Sequence, residues 1–255
     1  MAKQMIIALV TLFFFSCKKD KSENAPVDIN AGKVKSIIDA NGRSTTMIFN
    51  SNGQLIKMYT LYTTGDTGST VIHEYNGNTL TRTEKYSATD IRIYSYQLNA
   101  NGWIVSGTPL SNPAAQYTYS YNSNGQITER KMVNGSNIDL YTYFYSNNQC
   151  DSIRHTPSWW PAGSYETDVF EYYSDKNDNR NQLFTYFQTH LGKPLCSKAI
   201  KSYKTVNYSA SNPAGASYPP DLYDYEYDAN GRIVKELLHF RSAANVTSSN
   251  TYIYQ

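Results

Sequence analysis

The chain has 255 residues, with 23 basic and 21 acidic side chains and a formal net charge of +2. It is long enough to bury one large core, and its charge balance offers no basic excess for nucleic acid. Tyrosine occurs 24 times, Asn, Ser, Thr and Gly are plentiful and Leu is scarce, which excludes a helical bundle and favours antiparallel sheet with wet faces.

The chain opens on an address. Lys3 precedes an apolar run, Met5 to Phe15, of 11 residues, too short to cross a bilayer as a helix, which takes about 20. A charged start, a short apolar core and a small residue before the cut form a secretory signal peptide over 1–16. Ser16-Cys17 at its end resembles the lipobox of Gram-negative bacterial lipoproteins, which implies lipidation of Cys17. Residues 17–32, beginning Cys-Lys-Lys-Asp-Lys, are polar and read as a flexible tether. The expected location is the outer membrane, lipid-anchored, on its periplasmic or surface face. Two further cysteines, Cys150 and Cys196, form a disulfide closing about 47 residues, worth roughly 4 kcal/mol by chain entropy, or stay as two buried thiols.

A repeat fills 33–255. Tyr117-Thr-Tyr-Ser-Tyr-Asn-Ser-Asn-Gly-Gln-Ile127 matches Tyr223-Asp-Tyr-Glu-Tyr-Asp-Ala-Asn-Gly-Arg-Ile233, and weaker copies end at Leu55, Leu80, Ile104 and Cys150. Asp39-Ala-Asn-Gly42 is an early echo. The turn residues Gly53, Gly77, Gly102, Gly125 and Asn148 recur at intervals of 23 to 25 residues, the mark of a repeated architecture. Alternating Tyr with small polar residues is strand period, and Asn-Gly supplies the left-handed backbone of a tight hairpin. Asn148 takes the glycine's place because Asn enters that region more cheaply than other side chains. Simple alternation along these strands puts Asp224 and Glu226, or Thr128 and Arg130, on the outer, non-Tyr face. The repeat falters over 176–222, read as an irregular insertion, with 207–220 a loop by composition.

The motif Tyr-x-Tyr-(Asp/Asn)-x-Asn-Gly-x-(Ile/Leu) resembles the YD repeat of RHS-type proteins. With the lipobox, it is also similar to a family of bacterial lipoproteins known as a domain of unknown function with a porin-like fold. The resemblance implies an all-β fold, an antiparallel meander of repeated hairpins forming a curved sheet or a barrel-like single domain. It brings no catalytic or binding residues. Neither strand face is uniformly apolar, so a tethered sheet is expected rather than a membrane-spanning barrel.

Little chemistry is legible. His73, His155, His190 and His239 lie in no metal spacing, so no metal and no cofactor is expected. Asp224 and Glu226 could form a carboxylate pair, though polar strand faces produce such pairs routinely. Asp175 and Asp178 lack calcium-loop spacing. Trp159 and Trp160, between Pro157 and Pro161, are the weak ligand-binding candidates, one of them otherwise plugging the end of the sheet. The Tyr ladder (Tyr94, Tyr96, Tyr117, Tyr119, Tyr141, Tyr143, Tyr223, Tyr225) is core or a wet interaction face. The leading expectation is a non-enzymatic binding or scaffolding module, with a glycan or an envelope protein as partner and no nucleic acid. Edge strands would serve the scaffolding role; an envelope glycan hydrolase is the alternative.

Overall fold

A computed structural model describes residues 31–178, 180, 195–217, 219–240 and 248–255. The strands are β1 (Val34–Asp39), β2 (Ser44–Phe49), β3 (Leu55–Leu61), β4 (Thr67–Asn76), β5 (Thr79–Lys85) and β6 (Ile91–Leu98). They continue with β7 (Ile104–Pro109), β8 (Gln116–Tyr121), β9 (Ile127–Asn134), β10 (Asn137–Ser146), β11 (Gln149–Pro157) and β12 (Tyr165–Asn177). The last are β13 (Lys198–Ser209), β14 (Asn212–Ser217), β15 (Asp221–Tyr227), β16 (Ile233–His239) and β17 (Ser248–Tyr254). Apart from β14 and β15, which do not pair with each other, consecutive strands pair antiparallel, and β17 returns to pair with β1, from Val34 opposite Tyr254 to Asp39 opposite Asn250. β14 and β15 both lie against β13, so the sheet closes as a meander barrel of 16 strand positions. Closure removes the edges on which strand-pairing scaffolding depended. Among the described strands only β14 has a single ladder partner.

Most of the described residues in the stretch read as irregular are strand. β12 runs to Asn177, and β13 pairs with it from Tyr165–Tyr208 to Asn177–Lys198. Within 207–220, expected to be a loop, β14 forms a short hairpin on β13. The long-range ladder with β12 overrides a composition that locally favours turns.

The hairpin turns show why the repeat carries Asx as well as Gly. Asn122 Oδ1 accepts from the amides of Asn124 and Gln126, both at 3.0 Å, while Gly125 N–H donates to Asn122 O at 2.9 Å. Asn50, Asn99, Asp228 and Asp39 repeat this arrangement at their own turns. The side chain thus satisfies amides the ladder leaves unpaired. Gly125 has φ 79°, and at the two-residue turn Asn147 and Asn148 take φ 48° and 61°, the left-handed values expected of Asn148.

At the turns before β3, β7, β9, β11 and β16 a bulge resets the alternation, whereas the 77–78 turn leads into β5 in unbroken register. Tyr227 pairs with Ile233 but Glu226 with Lys235, leaving one extra residue on β16. The same shift follows the turns before β3, β7, β9 and β11. The first two inward residues of these strands therefore stand three apart, as Ile127 and Arg130 or Ile233 and Glu236 do, rather than two apart. Arg130 and Glu236 consequently sit opposite the inward Tyr119 and Tyr225. This corrects the outward placement of Arg130 that simple alternation from Ile127 gives.

The interior is layered from the turn end. Leu55, Leu80, Ile104, Ile127, Cys150 and Ile233 form a sealing layer, each no more than 2% exposed. Above it lie the central tyrosines Tyr96, Tyr119, Tyr143, Tyr225 and Tyr252, all buried. The next residues up, Tyr94, Tyr117, Tyr141 and Tyr223, are half-buried. The Tyr ladder is therefore barrel interior. The last Tyr of a unit staples it to the preceding unit. Tyr121 OH donates to Ile104 O at 2.6 Å, Tyr145 to Ile127 O at 2.8 Å, Tyr172 to Cys150 O at 2.6 Å and Tyr254 to Ile233 O at 2.6 Å. Each such bond contributes about 1 kcal/mol net. Gly107 stands opposite Tyr96 because a Cβ there would lie 2.2 Å from the ring's Cδ1.

His73 is buried inside the barrel, with Nδ1 3.2 Å from Leu55 O. Burial first, and the charge of Arg82 second, push its pKa down to about 4. The folded state thus takes up its proton later than the unfolded chain. Stability from the neutral ring is complete above pH 6.5 and is lost as pH falls toward about 4. The expected loss is about 3 kcal/mol. Urea unfolding between pH 4 and 7 should show this slope in the wild type and a flatter one in His73→Gln.

Candidate site in the barrel mouth

The two ends of the barrel differ chemically. One carries the six tight turns 50–53, 77–78, 99–102, 122–125, 147–148 and 228–231, together with the end of β12 at Asn177 and the start of β13 at Lys198. The chain enters at this end: Lys33 Nζ donates to Gly53 O at 2.7 Å. The opposite end is a mouth formed by the connections that begin at Ala40, Tyr62, Tyr86, Leu110, Gly135, Ser158 and Ala210, with the end of β16 at His239 and the start of β17 at Ser248. Tyr62, Tyr86, Ile91, Leu110, Trp159 and Phe240 are exposed around it.

A cavity of about 630 Å³ opens at the mouth on the side of β1–β5, β16 and β17. Its rim carries Tyr62, Tyr86 and the Asp39–Arg43 ion pair, whose Oδ2–Nε distance is 2.5 Å. Thr45, Thr60 and Ser69 give its wall hydroxyls, with Thr45 and Thr60 bonded at 2.9 Å. Its floor is Arg180, Glu236, Asn250 and Tyr252.

Arg180 reaches the floor from the connection after β12. Its side chain is 3% exposed, and a bidentate pair with Asp178 (Nε–Oδ1 3.0 Å, Nη2–Oδ2 2.7 Å) holds one edge of the guanidinium. Nη1 bonds Glu236 Oε2 at 2.5 Å and Tyr252 OH at 2.7 Å, and Asn250 Nδ2 donates to Glu236 Oε1 at 3.0 Å. Burial disfavours the charged guanidinium, but Tyr252, Asp178 and Glu236 outweigh it and hold the pKa above its ordinary value. Asp39 lies below the usual carboxylate range. Its slight burial works upward, and hydrogen bonds from Arg43 and Asn41 overcome it.

The sequence candidates fall elsewhere. Trp159 is 53% exposed on the β11–β12 connection, and Trp160 turns inward, edge-on to His155 at 5.4 Å. Neither lines the cavity. His155 in turn stacks on Tyr141 at 4.1 Å, with Nε2 2.5 Å from Asp139 Oδ1 and Nδ1 2.9 Å from Glu166 Oε1. Asp224 and Glu226 lie on the outside, taken by Tyr173 OH at 3.0 Å and Lys235 Nζ at 2.7 Å, and form no pocket pair. Asp178 serves Arg180, and no metal-binding group occurs among the described residues. Cys17 and His190 lie outside the described residues.

Cys150 and Cys196 come together. Cys150 N–H donates to Leu195 O at 2.9 Å, and both side chains line a second cavity of about 250 Å³. Both are free, buried thiols. Burial pushes each pKa up to about 12, helped for Cys150 by Cys196 and for Cys196 by Asp178.

On the outer face, the row Ser120, Glu129, Thr142, Arg154, Thr167 crosses five strands. It is not the apolar stripe a lipid-facing strand presents. No described helix is long and apolar enough to cross a membrane.

No family model matches the chain, and no curated protein matches it. Among solved structures it is similar to a porin-like protein from Bacteroides uniformis, at 16% identity and TM-score 0.59, covering 87% of this chain and 98% of that one. A porin-like protein from Bacteroides vulgatus aligns at 14% identity and TM-score 0.61, covering 88% and 98%. The likeness establishes a shared porin-like fold.

Proposed function

We propose that this chain is a lipid-anchored envelope protein, built from YD-like repeats, that binds its ligand in the barrel mouth without chemical conversion. The observation that carries the reading is the barrel's two-endedness. Lys33, on the N-terminal side of β1, sits at the sealed end beside Gly53, which supports a reading in which the cavity and its aromatic rim face away from an anchoring membrane. Several acyl chains on one Cys meet the two-signal requirement for stable anchoring. The porin-like neighbours support an envelope setting. A glycan hydrolase needs two close acids, one of them held protonated. In the cavity Glu236 is tied to Arg180, and Asp39 is held below its ordinary pKa.

Fractionation with metabolic palmitate labelling tests the anchor. Label and outer-membrane recovery should both vanish in Cys17→Ser, and an unlabelled wild type overturns the anchor. Fluorescence titration with glycan and peptide libraries tests the mouth. Binding should be lost in Tyr62→Ala, and binding that survives this change overturns the mouth as the site.

In an oxidising envelope Cys150 and Cys196 are expected to pair. Protein isolated from that compartment should be two hydrogens lighter by mass and resist alkylation until reduced. Cys196→Ser should then cost roughly 2–4 kcal/mol of stability.

A further inference from the structure

The geometry points to a neutral or amine-bearing oligosaccharide as the ligand class of the mouth cavity, with acidic sugars excluded; this rests on the reading of the mouth as the binding site. Three observations support the assignment. The volume of about 630 Å³ suits a small ligand, for which sites run about 300–1,000 Å³. Hydroxyls on Thr45, Thr60 and Ser69 both donate and accept, as polyol recognition requires. Tyr62, 47% exposed and packed against Gly68, offers a ring at the rim for the apolar face of a sugar.

Charge sets the discrimination. At the floor two carboxylates, Asp178 and Glu236, share the single guanidinium of Arg180, so the group carries one uncompensated negative charge. Every guanidinium nitrogen of Arg180 is already engaged. At the rim, Arg43 and Asp39 neutralise each other. An incoming carboxylate therefore meets repulsion and finds no spare cation among the described lining residues, whereas an ammonium is attracted in a site partly shielded from water.

Calorimetry on the full chain in detergent micelles tests this with four probes: glucosamine trimer, its N-acetylated counterpart, maltotriose and trigalacturonate. The glucosamine trimer should bind at least tenfold more tightly than maltotriose. N-acetylation, which removes the charge and keeps the rings, should abolish that advantage. Trigalacturonate should bind at least tenfold more weakly than maltotriose. Glu236→Gln should bring the glucosamine trimer and maltotriose to equal affinity, and the wild-type comparison of the two glucosamine probes decides the point if that variant does not fold. Trigalacturonate binding as tightly as maltotriose, or no heat from any saccharide, overturns the saccharide assignment. A peptide that binds the wild type but not Tyr62→Ala overturns the saccharide class alone and leaves the mouth as the site.

Discussion

Replacing Arg180 with Ala is expected to cost about 3–5 kcal/mol, the usual consequence of removing one member of a buried ion network. The change leaves Asp178 and Glu236 facing each other without their shared guanidinium, and strips the cation from Tyr225 and Tyr252, whose rings lie 5.0 and 4.9 Å from it. The sign of its pH dependence is a second readout. In the variant the two carboxylates repel when ionised, so the deficit against wild type should be largest at neutral pH and shrink in acid as they protonate. The triple change Arg180→Met, Asp178→Asn, Glu236→Gln should recover much of the loss, because a neutral cluster carries no unpaired charge. Urea unfolding of the three proteins at pH 4 and pH 7 measures all of this. A loss below about 1 kcal/mol for Arg180→Ala would show that the triad is not buried as described.

Ile127→Ala should cost about 2–5 kcal/mol, since it opens a cavity in the sealing layer where no solvent reaches. Ile127 is 0% exposed and lies beside Tyr121 and Tyr143 in the core. The outward Ile48, 38% exposed, is the matched control. Ile48→Ala should shift stability by well under 1 kcal/mol, as surface changes do. Equal effects at the two sites would contradict the inward and outward assignment of the barrel wall.

Much of the fold was legible because each repeat encodes its own hairpin. Tyr alternation and Asx-x-Asn-Gly turns act within a single hairpin, so local chemistry determines them, and their recurrence every 23 to 25 residues reveals the repeat. Closure was not legible, since it depends on β1 meeting β17 across nearly the whole chain. The bulges were not legible either, and they hid the site. Counting by twos from Ile233 points Lys235 inward and Glu236 outward, whereas the extra residue on β16 reverses this. The site's other members carry no local signal. Arg180 sits in the polar run Asn177-Asp-Asn-Arg180, which reads as turn, and it becomes a core residue only through Glu236 and Tyr252. Trp159 and Trp160 were visible for the opposite reason: paired indoles between prolines stand out, although they line neither of the two cavities described.

The β1–β17 ladder also has a kinetic meaning. Every other ladder pairs strands adjacent in sequence, or in β13–β15 skips only the short β14, so the wall can assemble unit by unit as the chain appears, at low loop-closure cost. Joining β17 to β1 is the one ladder that must bring together residues from Val34 to Tyr254. Until it forms, the sheet has two raw edges and a mouth without its full wall, because Asn250 and Tyr252 of that last strand belong to the cavity floor. The ring is therefore a latch: a nascent or truncated chain lacking β17 is a curved, adhesive sheet with no site, and completion of the barrel and completion of the site are one event.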